Sequence, residues 1–171
     1  KLTIEDLLYG LMLSSANDAS NVLDEGVGRS VEQFAEMMTK KARLIGATNT
    51  HFTNPHGLTA PEHYSTARDL VTIFQYAMRN PIFRTIVQTK ISAVNSSTMV
   101  RKKVVPRRIS VRNHNRLLWN FEGTIGGKTG YTHAAQKCFV GGVQRNGATL
   151  LIAILGSRNL WGDTRQLLEY G

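Results

Sequence analysis

Cysteine is nearly absent: Cys138 is the one thiol in 171 residues. That excludes an intrachain disulfide framework and a cysteine-built structural zinc site. Long apolar runs are missing too. None approaches the roughly 20 residues that span a bilayer, and the longest, Ala148 to Gly156, reads as a buried strand. The opening Lys1-Leu2-Thr3-Ile4-Glu5-Asp6 lacks the apolar stretch and small-residue site of a signal peptide. Its absence does not assign the chain to the cytoplasm. Acidic residues are few, 12 against 21 Lys and Arg, for a formal net charge of +9. Hydrophobic residues make up 42%, which excludes a disordered chain, and the length is that of about one domain. There is no internal repeat or low-complexity linker.

What is present is ordered by type. Thr3 and Asp6 form a capping pair before Ile4, Leu7, Leu8, Leu11 and Met12, whose spacing predicts one buried helix face. Ser14-Ser15-Ala16-Asn17-Asp18 interrupts it, and a short helix over Ala19 to Glu25 follows. Ser30 and Gln33 open another helix, with Phe34, Met37 and Met38 expected in the core and Gly46 near its end. Residues 47–64 read as a loop. A helix capped by Ser65 or Thr66 then carries Phe74 and Met78 as core, and Pro81 ends it or begins another. From Lys90 the pattern changes to strands: Lys90–Val94, Met99–Val105, Ile109–Arg112, Gly126–Tyr131, Lys137–Arg145 and Ala148–Leu155. Asn146-Gly147 is a hairpin turn signal, and Asp163–Tyr170 closes the chain as a helix. Helices first and strands later predict an α+β fold with helices on an antiparallel sheet.

Two polar motifs carry candidate chemistry. Ser15-Ala16-Asn17 lies between helices, and Lys128-Thr129-Gly130 lies in a glycine-flanked strand, 113 residues away. Ser15 and Asn17 also suit simple helix capping. Gly127-Lys128-Thr129 is not a phosphate loop, because Glu122 stands where that loop needs glycine and strands follow. His51, His56, His63, His114 and His133 have no helical ligand spacing, so no metal and no cofactor is expected. Cys138 reads as a buried, inert thiol. Arg101, Lys102, Lys103, Arg107, Arg108, Arg112 and Arg116 form a basic stretch, which raises a rival reading as a module binding nucleic acid or an anionic cell-wall polymer. Aromatic residues scarcely interleave with these charges, so nucleic acid is not the expected partner.

The two motifs match two of the three elements of the penicillin-recognising serine enzymes, a set already described for this class. His51–Leu58, His63–Leu70, Asn115-Arg116-Leu117-Leu118-Trp119, Gly127–Thr132, Leu155-Gly156-Ser157 and Leu167–Gly171 extend the likeness. Together they resemble the D-alanyl-D-alanine carboxypeptidases, low-molecular-weight penicillin-binding proteins of peptidase family S11, over nearly the whole chain. The resemblance implies a β-lactamase/transpeptidase-like fold. It also implies hydrolysis of D-Ala-D-Ala in peptidoglycan stem peptides through an acyl-enzyme, reaction with β-lactams, and a periplasmic or other extracytoplasmic site, with or without a membrane anchor.

One departure limits this. The family's nucleophile is a serine three residues before a lysine, and none of the ten serines here has a lysine at that spacing. Residues 1–171 are therefore expected to be a partial transpeptidase-like domain, N-terminally truncated and inactive alone. The resemblance implies that Ser15 relays a proton and Lys128 supplies charge beside it. It makes Asn17 an orienter of the substrate amide, and Thr129 and Arg158 anchors for the terminal carboxylate. The Tyr131 N–H would form half of the oxyanion hole, while Gly127 and Gly130 let the substrate lie along the strand. A truncated sheet is expected to recruit a partner, either a second copy or the missing N-terminal segment held non-covalently.

Overall fold

The computed structural model of the chain describes residues 2–101 and 103–171, with positions 99 and 100 described by backbone alone. Lys1 and Lys102 lie outside the described residues. Helix α1, Ile4–Ser14, starts on the predicted capping box: Asp6 N–H donates to Thr3 Oγ1 at 3.0 Å, and Thr3 N–H donates back to the Asp6 carboxylate at 3.3 Å. Its buried residues are Leu7, Gly10 and Leu13. Ile4, predicted to join them, is 71% exposed: the buried stripe of α1 runs through Leu7, Gly10 and Leu13 instead. Helix α2, Asn17–Gly28, runs past the predicted Ala19–Glu25 at both ends.

Helix α3, Val31–Leu44, begins where Gln33 N–H donates to Ser30 Oγ. It buries Ala35, Thr39 and Ala42, spaced i, i+4 and i+7. Met37 lies about 200° around the helix from Ala35 and is exposed, which corrects its assignment to the core. Helices α4, Ala67–Ala77, and α5, Pro81–Gln88, take Thr66 and Asn80 as caps, with Pro81 in the first turn of α5. Phe74 is buried as expected.

The strands form two antiparallel sheets. One is the hairpin of β1, Ile91–Val100, and β2, Lys103–Arg112. The sequence pattern predicts three short strands here. In the structure the polar Asn95-Ser96-Ser97-Thr98 continues β1, since a ribbon open to water on its faces needs no apolar alternation there. The predicted Met99–Val105 strand instead straddles the turn, where Arg101 adopts φ +46°. The other sheet has the order β3-β4-β5, with β3 Thr124–Thr132, β4 Gln136–Arg145 and β5 Ala148–Ser157. Asn146 and Gly147 make the β4–β5 turn with φ +50° and +79°, as a two-residue hairpin loop requires. Helices α6, Leu117–Asn120, and α7, Leu160–Tyr170, complete the chain.

Two cores result. Leu117, Phe139, Val143, Ile152, Leu160 and Leu168 pack between the three-stranded sheet and helices α6 and α7. Leu13, Ile86, Val94 and Val111 join α1, α5 and the base of the hairpin. Cys138, expected to be buried, is only half-buried, and its thiol points at Ala135 O at 3.5 Å. Asp24 in α2 is fully buried, with no hydrogen-bond partner among the described residues for either carboxylate oxygen. Such a group costs stability, by about 1–3 kcal/mol or more.

Candidate active site

Helix α1 ends in a way that presents Ser15. Ser15 takes the left-handed conformation, φ +55° and ψ +44°, and its N–H donates to Leu11 O. The turn is anchored beneath by Leu13, which is fully buried and whose carbonyl accepts from His114 N–H at 3.2 Å. Helix α2 then starts from Ala16 with no side-chain cap. Neither Ser15 nor Asn17 caps it, so the capping reading of this motif fails. The Ser15 hydroxyl is free for another partner.

That partner is Lys128. Its Nζ donates to Ser15 Oγ at 2.5 Å and to Thr129 O at 2.7 Å. Burial strips water from the ammonium and lowers its pKa from 10.5 to about 8. An ammonium only donates, so the Ser15 oxygen accepts from Lys128 and keeps its own proton to give elsewhere. A hydroxyl placed this way can pass a proton outward and be resupplied from behind.

Glycines bring strand β3 to this position. Gly126, at φ +115°, follows an irregularity in the β3–β4 register, and a Cβ there would stand 2.5 Å from Val87. A Cβ at Gly127 would stand 2.6 Å from the Phe139 ring. Packing within the chain therefore explains both of these glycines. Gly130 differs: its Cβ would meet nothing closer than Cys138 Cβ at 3.7 Å, an ordinary contact. It lies on the same face of β3 as Lys128 and leaves that face open. Strand β3 is an edge of its sheet, with β4 on one side only.

A cleft of about 760 Å³ lies along this edge, lined by Ser15, Thr129, Gly130 and Tyr131 at one part and by Arg112, Arg116 and Trp119 at another. Lys137 also lines it, and no carboxylate does. The Arg112 guanidinium lies over the Trp119 ring at 4.5 Å. The cleft thus offers cations and an open strand edge to an anionic, extended ligand. Among the residues expected in the site, Ser15, Thr129, Gly130 and Tyr131 meet here, with Lys128 bonded behind Ser15. Asn17 is exposed in the first turn of α2, outside the cleft lining, and its side chain makes no hydrogen bond among the described residues. Arg158 is exposed after β5, also outside the lining, and its carbonyl accepts from Lys137 at 3.4 Å.

Three supporting groups were not singled out in the sequence. Asn113 donates to Val87 O and Thr89 O and accepts from Asn115 N–H, which fixes the corner between β2 and α6. Asp69 is buried and accepts from Asn49 N–H and Thr50 Oγ1, both at 2.7 Å, which ties the 47–64 loop to α4. Thr59 in that loop reaches Thr132 at 2.7 Å, next to Tyr131. Each is an Asn, Asp or Thr in a turn-rich segment, a setting common to many chains, so only the tertiary partners reveal the role.

A serine held by a desolvated lysine across an open strand edge, on an α+β frame, defines the class: an acyl-transfer fold of the penicillin-recognising type. The D-alanyl-D-alanine carboxypeptidase family, peptidase S11, matches residues 1–159, and the chain belongs to it. DacB2 of Mycobacterium tuberculosis, a D-alanyl-D-alanine carboxypeptidase, is 41% identical over 177 residues, covering 99% of this chain and 58% of that protein. The D-alanyl-D-alanine carboxypeptidase of Streptomyces sp. strain K15 is 34% identical, covering all of this chain and 61% of its own length. The crystal structure of the Streptomyces K15 DD-transpeptidase superposes with a TM-score of 0.89 at 35% identity, over 98% of this chain and 67% of that one. The chain thus spans about three fifths of the length of these curated relatives.

Proposed function

We propose that these residues form the larger part of a serine-type D-Ala-D-Ala carboxypeptidase domain acting on peptidoglycan stem peptides outside the cytoplasmic membrane. The observation that carries this reading is the 2.5 Å contact of Ser15 with Lys128 across 113 residues of sequence. The nucleophile, a serine three residues before a lysine, is not among these 171 residues. It attacks the carbonyl of the scissile bond as its hydroxyl proton passes to the lysine of the same motif. The Tyr131 N–H supplies half of the oxyanion hole, a device commonly worth several kcal/mol. The leaving D-Ala amine takes its proton from the Ser15 hydroxyl, which recovers one from Lys128. Water then cleaves the acyl-enzyme.

Thr129 binds the terminal carboxylate, and Arg158, whose carbonyl holds the cleft-lining Lys137, assists it. Asn17 turns its free amide to the substrate backbone, and Gly130 lets the peptide run beside β3 as an added strand. The cationic lining supports an anionic substrate or a β-lactam carboxylate. Among the described residues no helix is long and apolar enough to cross a membrane. Among the described residues the outer side of β5 has no strand beside it, an open edge that a second copy or an N-terminal segment held non-covalently would complete.

Labelling with a fluorescent penicillin tests the reading. A polypeptide that includes the nucleophile segment should be labelled and should release D-alanine, with Ser15→Ala and Lys128→Ala each slowing acylation by 10²-fold or more, as loss of a proton relay does. The 171-residue chain should gain no adduct by mass spectrometry. Unchanged acylation in both variants would remove the assigned roles.

A further inference from the structure

We propose that the exposed stretch of β2 from Lys103 to Arg108 is a docking arm for an anionic lipid surface, with its cations on the headgroups and its valines in the interface. From residue 70 to residue 121 the sequence holds no Asp or Glu but carries ten of the 21 Lys and Arg. The hairpin lies inside that stretch. Asp6 meets the hairpin at mid-strand, where Asn95 pairs with Arg108, but its carboxylate is engaged: it accepts from Asn95 N–H at 3.1 Å and from Thr3. No ion pair therefore quenches Lys103, Arg107 or Arg108 among the described residues, and all three are exposed.

Apolar groups stand among these cations. Val104 is 67% exposed, Val105 41% and Ile109 42%. Burial along β2 begins only at Val111, where the strand meets the core. Cations interleaved with exposed aliphatic side chains are the chemistry of interfacial binding, where charge draws the element to anionic lipid and apolar area holds it there. The other occupants fit less well. Residues 91–112 contain no aromatic side chain, on which single-stranded bases would stack. Pro106 removes a backbone donor from β2, which disfavours strand addition by a second copy. A purely ionic polymer would leave the valines without a partner.

The geometry gives the arm a consequence for the site. Lys103 and Arg112 are nine residues apart on one strand, about 30 Å at roughly 3.4 Å per residue, and Arg112 lines the cleft. Docked along Lys103 to Arg108, the hairpin holds Arg112 four residues, about 14 Å, from the nearest docking cation.

Co-sedimentation of the 171-residue chain with vesicles tests this, using phosphatidylcholine with and without phosphatidylglycerol. Binding is expected only with phosphatidylglycerol, and it should weaken as salt rises. Each cation near such a surface contributes about five-fold to partitioning, so the triple variant Lys103→Gln/Arg107→Gln/Arg108→Gln should bind roughly 100-fold more weakly. Val104→Ser/Val105→Ser should lose several-fold and leave a more salt-sensitive remainder. All five positions are exposed, so circular dichroism should be unchanged. Equal binding to both vesicle types, or no loss in the triple variant, would overturn the proposal. Retention on immobilised polyphosphate without vesicle binding would also overturn it, in favour of an anionic polymer.

Discussion

The two sheets of this molecule use charge and glycine in opposite ways. In β3-β4-β5 a lysine is buried against a serine, Gly126 and Gly127 allow close packing while Gly130 leaves one face open, and Phe139 and Val143 are almost fully enclosed. In β1–β2 the cations face water, the aliphatic residues beyond the base are exposed, and little else touches the distal half. Both segments are antiparallel and of similar strand length. What separates them is cover. Helices α4, α5, α6 and α7 pack on one sheet, whereas the hairpin meets α1 and α5 only through its proximal half. Burial makes a single charge chemically active in the first, and exposure makes several charges available to a surface in the second.

The largest test of this contrast is packing. Phe139→Ala removes a ring that is 1% exposed and contacts Trp161. It should cost about 3–5 kcal/mol in a urea melt. Val104→Ala in the hairpin should stay within about 0.5 kcal/mol. Comparable losses at both positions would mean that the hairpin is covered in solution.

The buried charge gives the next effect. Between pH 8 and 10.5 the unfolded chain still holds the Lys128 proton that the folded chain has released. Stability therefore rises with pH through that window, by roughly 3 kcal/mol for this group. Lys128→Met should lack that rise, so the stability difference between the two proteins should change by that amount from pH 7 to pH 10.5. A constant difference would mean that the ammonium is hydrated and the proton relay loses its basis.

Glycine provides a finer discrimination within β3. Gly127→Ala drives a Cβ to 2.6 Å from Phe139 and 2.7 Å from Val140 O, and it should destabilise by about 1–3 kcal/mol. Gly130→Ala meets only ordinary contacts and should change stability by less than about 0.5 kcal/mol. In a polypeptide that includes the nucleophile segment it should nonetheless slow acylation, because it fills the open face beside Lys128. A stability loss at Gly130 equal to that at Gly127 would make both glycines structural.

Legibility in the sequence followed the same divide. The capping pairs Thr3/Asp6 and Ser30/Gln33, the Asn146-Gly147 turn and the Lys128-Thr129-Gly130 strand were readable because each is local chemistry. Ser15 and Lys128 could be paired only through the family resemblance, since nothing in a span of 113 residues encodes their contact directly. The hairpin was misdivided because its polar middle breaks the alternation that marks a half-buried strand. Met37 and Ile4 were placed in the core because helical spacing gives a periodicity, and which stripe is covered depends on neighbours. Asn113 and Asp69 were missed because their partners are backbone groups from distant segments.

The smallest expected effect bears on why the hairpin keeps its charge. Arg107 and Lys103 share a face, four residues and therefore roughly 14 Å apart. With no acid in the surrounding sequence from 70 to 121, their fields add unopposed. At 0.01 M ionic strength the screening length is about 30 Å, and at 0.1 M about 10 Å. Repulsion between them is thus felt at low salt and lost at ordinary salt. Arg107→Gln should stabilise the fold by a few tenths of a kcal/mol at 0.01 M and by nothing measurable at 0.1 M. The measurement is a pair of urea melts at each ionic strength. If Arg107→Gln destabilises instead, the guanidinium has a structural partner, and the hairpin is no longer the charged, uncovered counterpart of the buried sheet. If it stabilises as expected, the cations persist at a small cost to folding, which selection for an external anionic partner explains and packing does not.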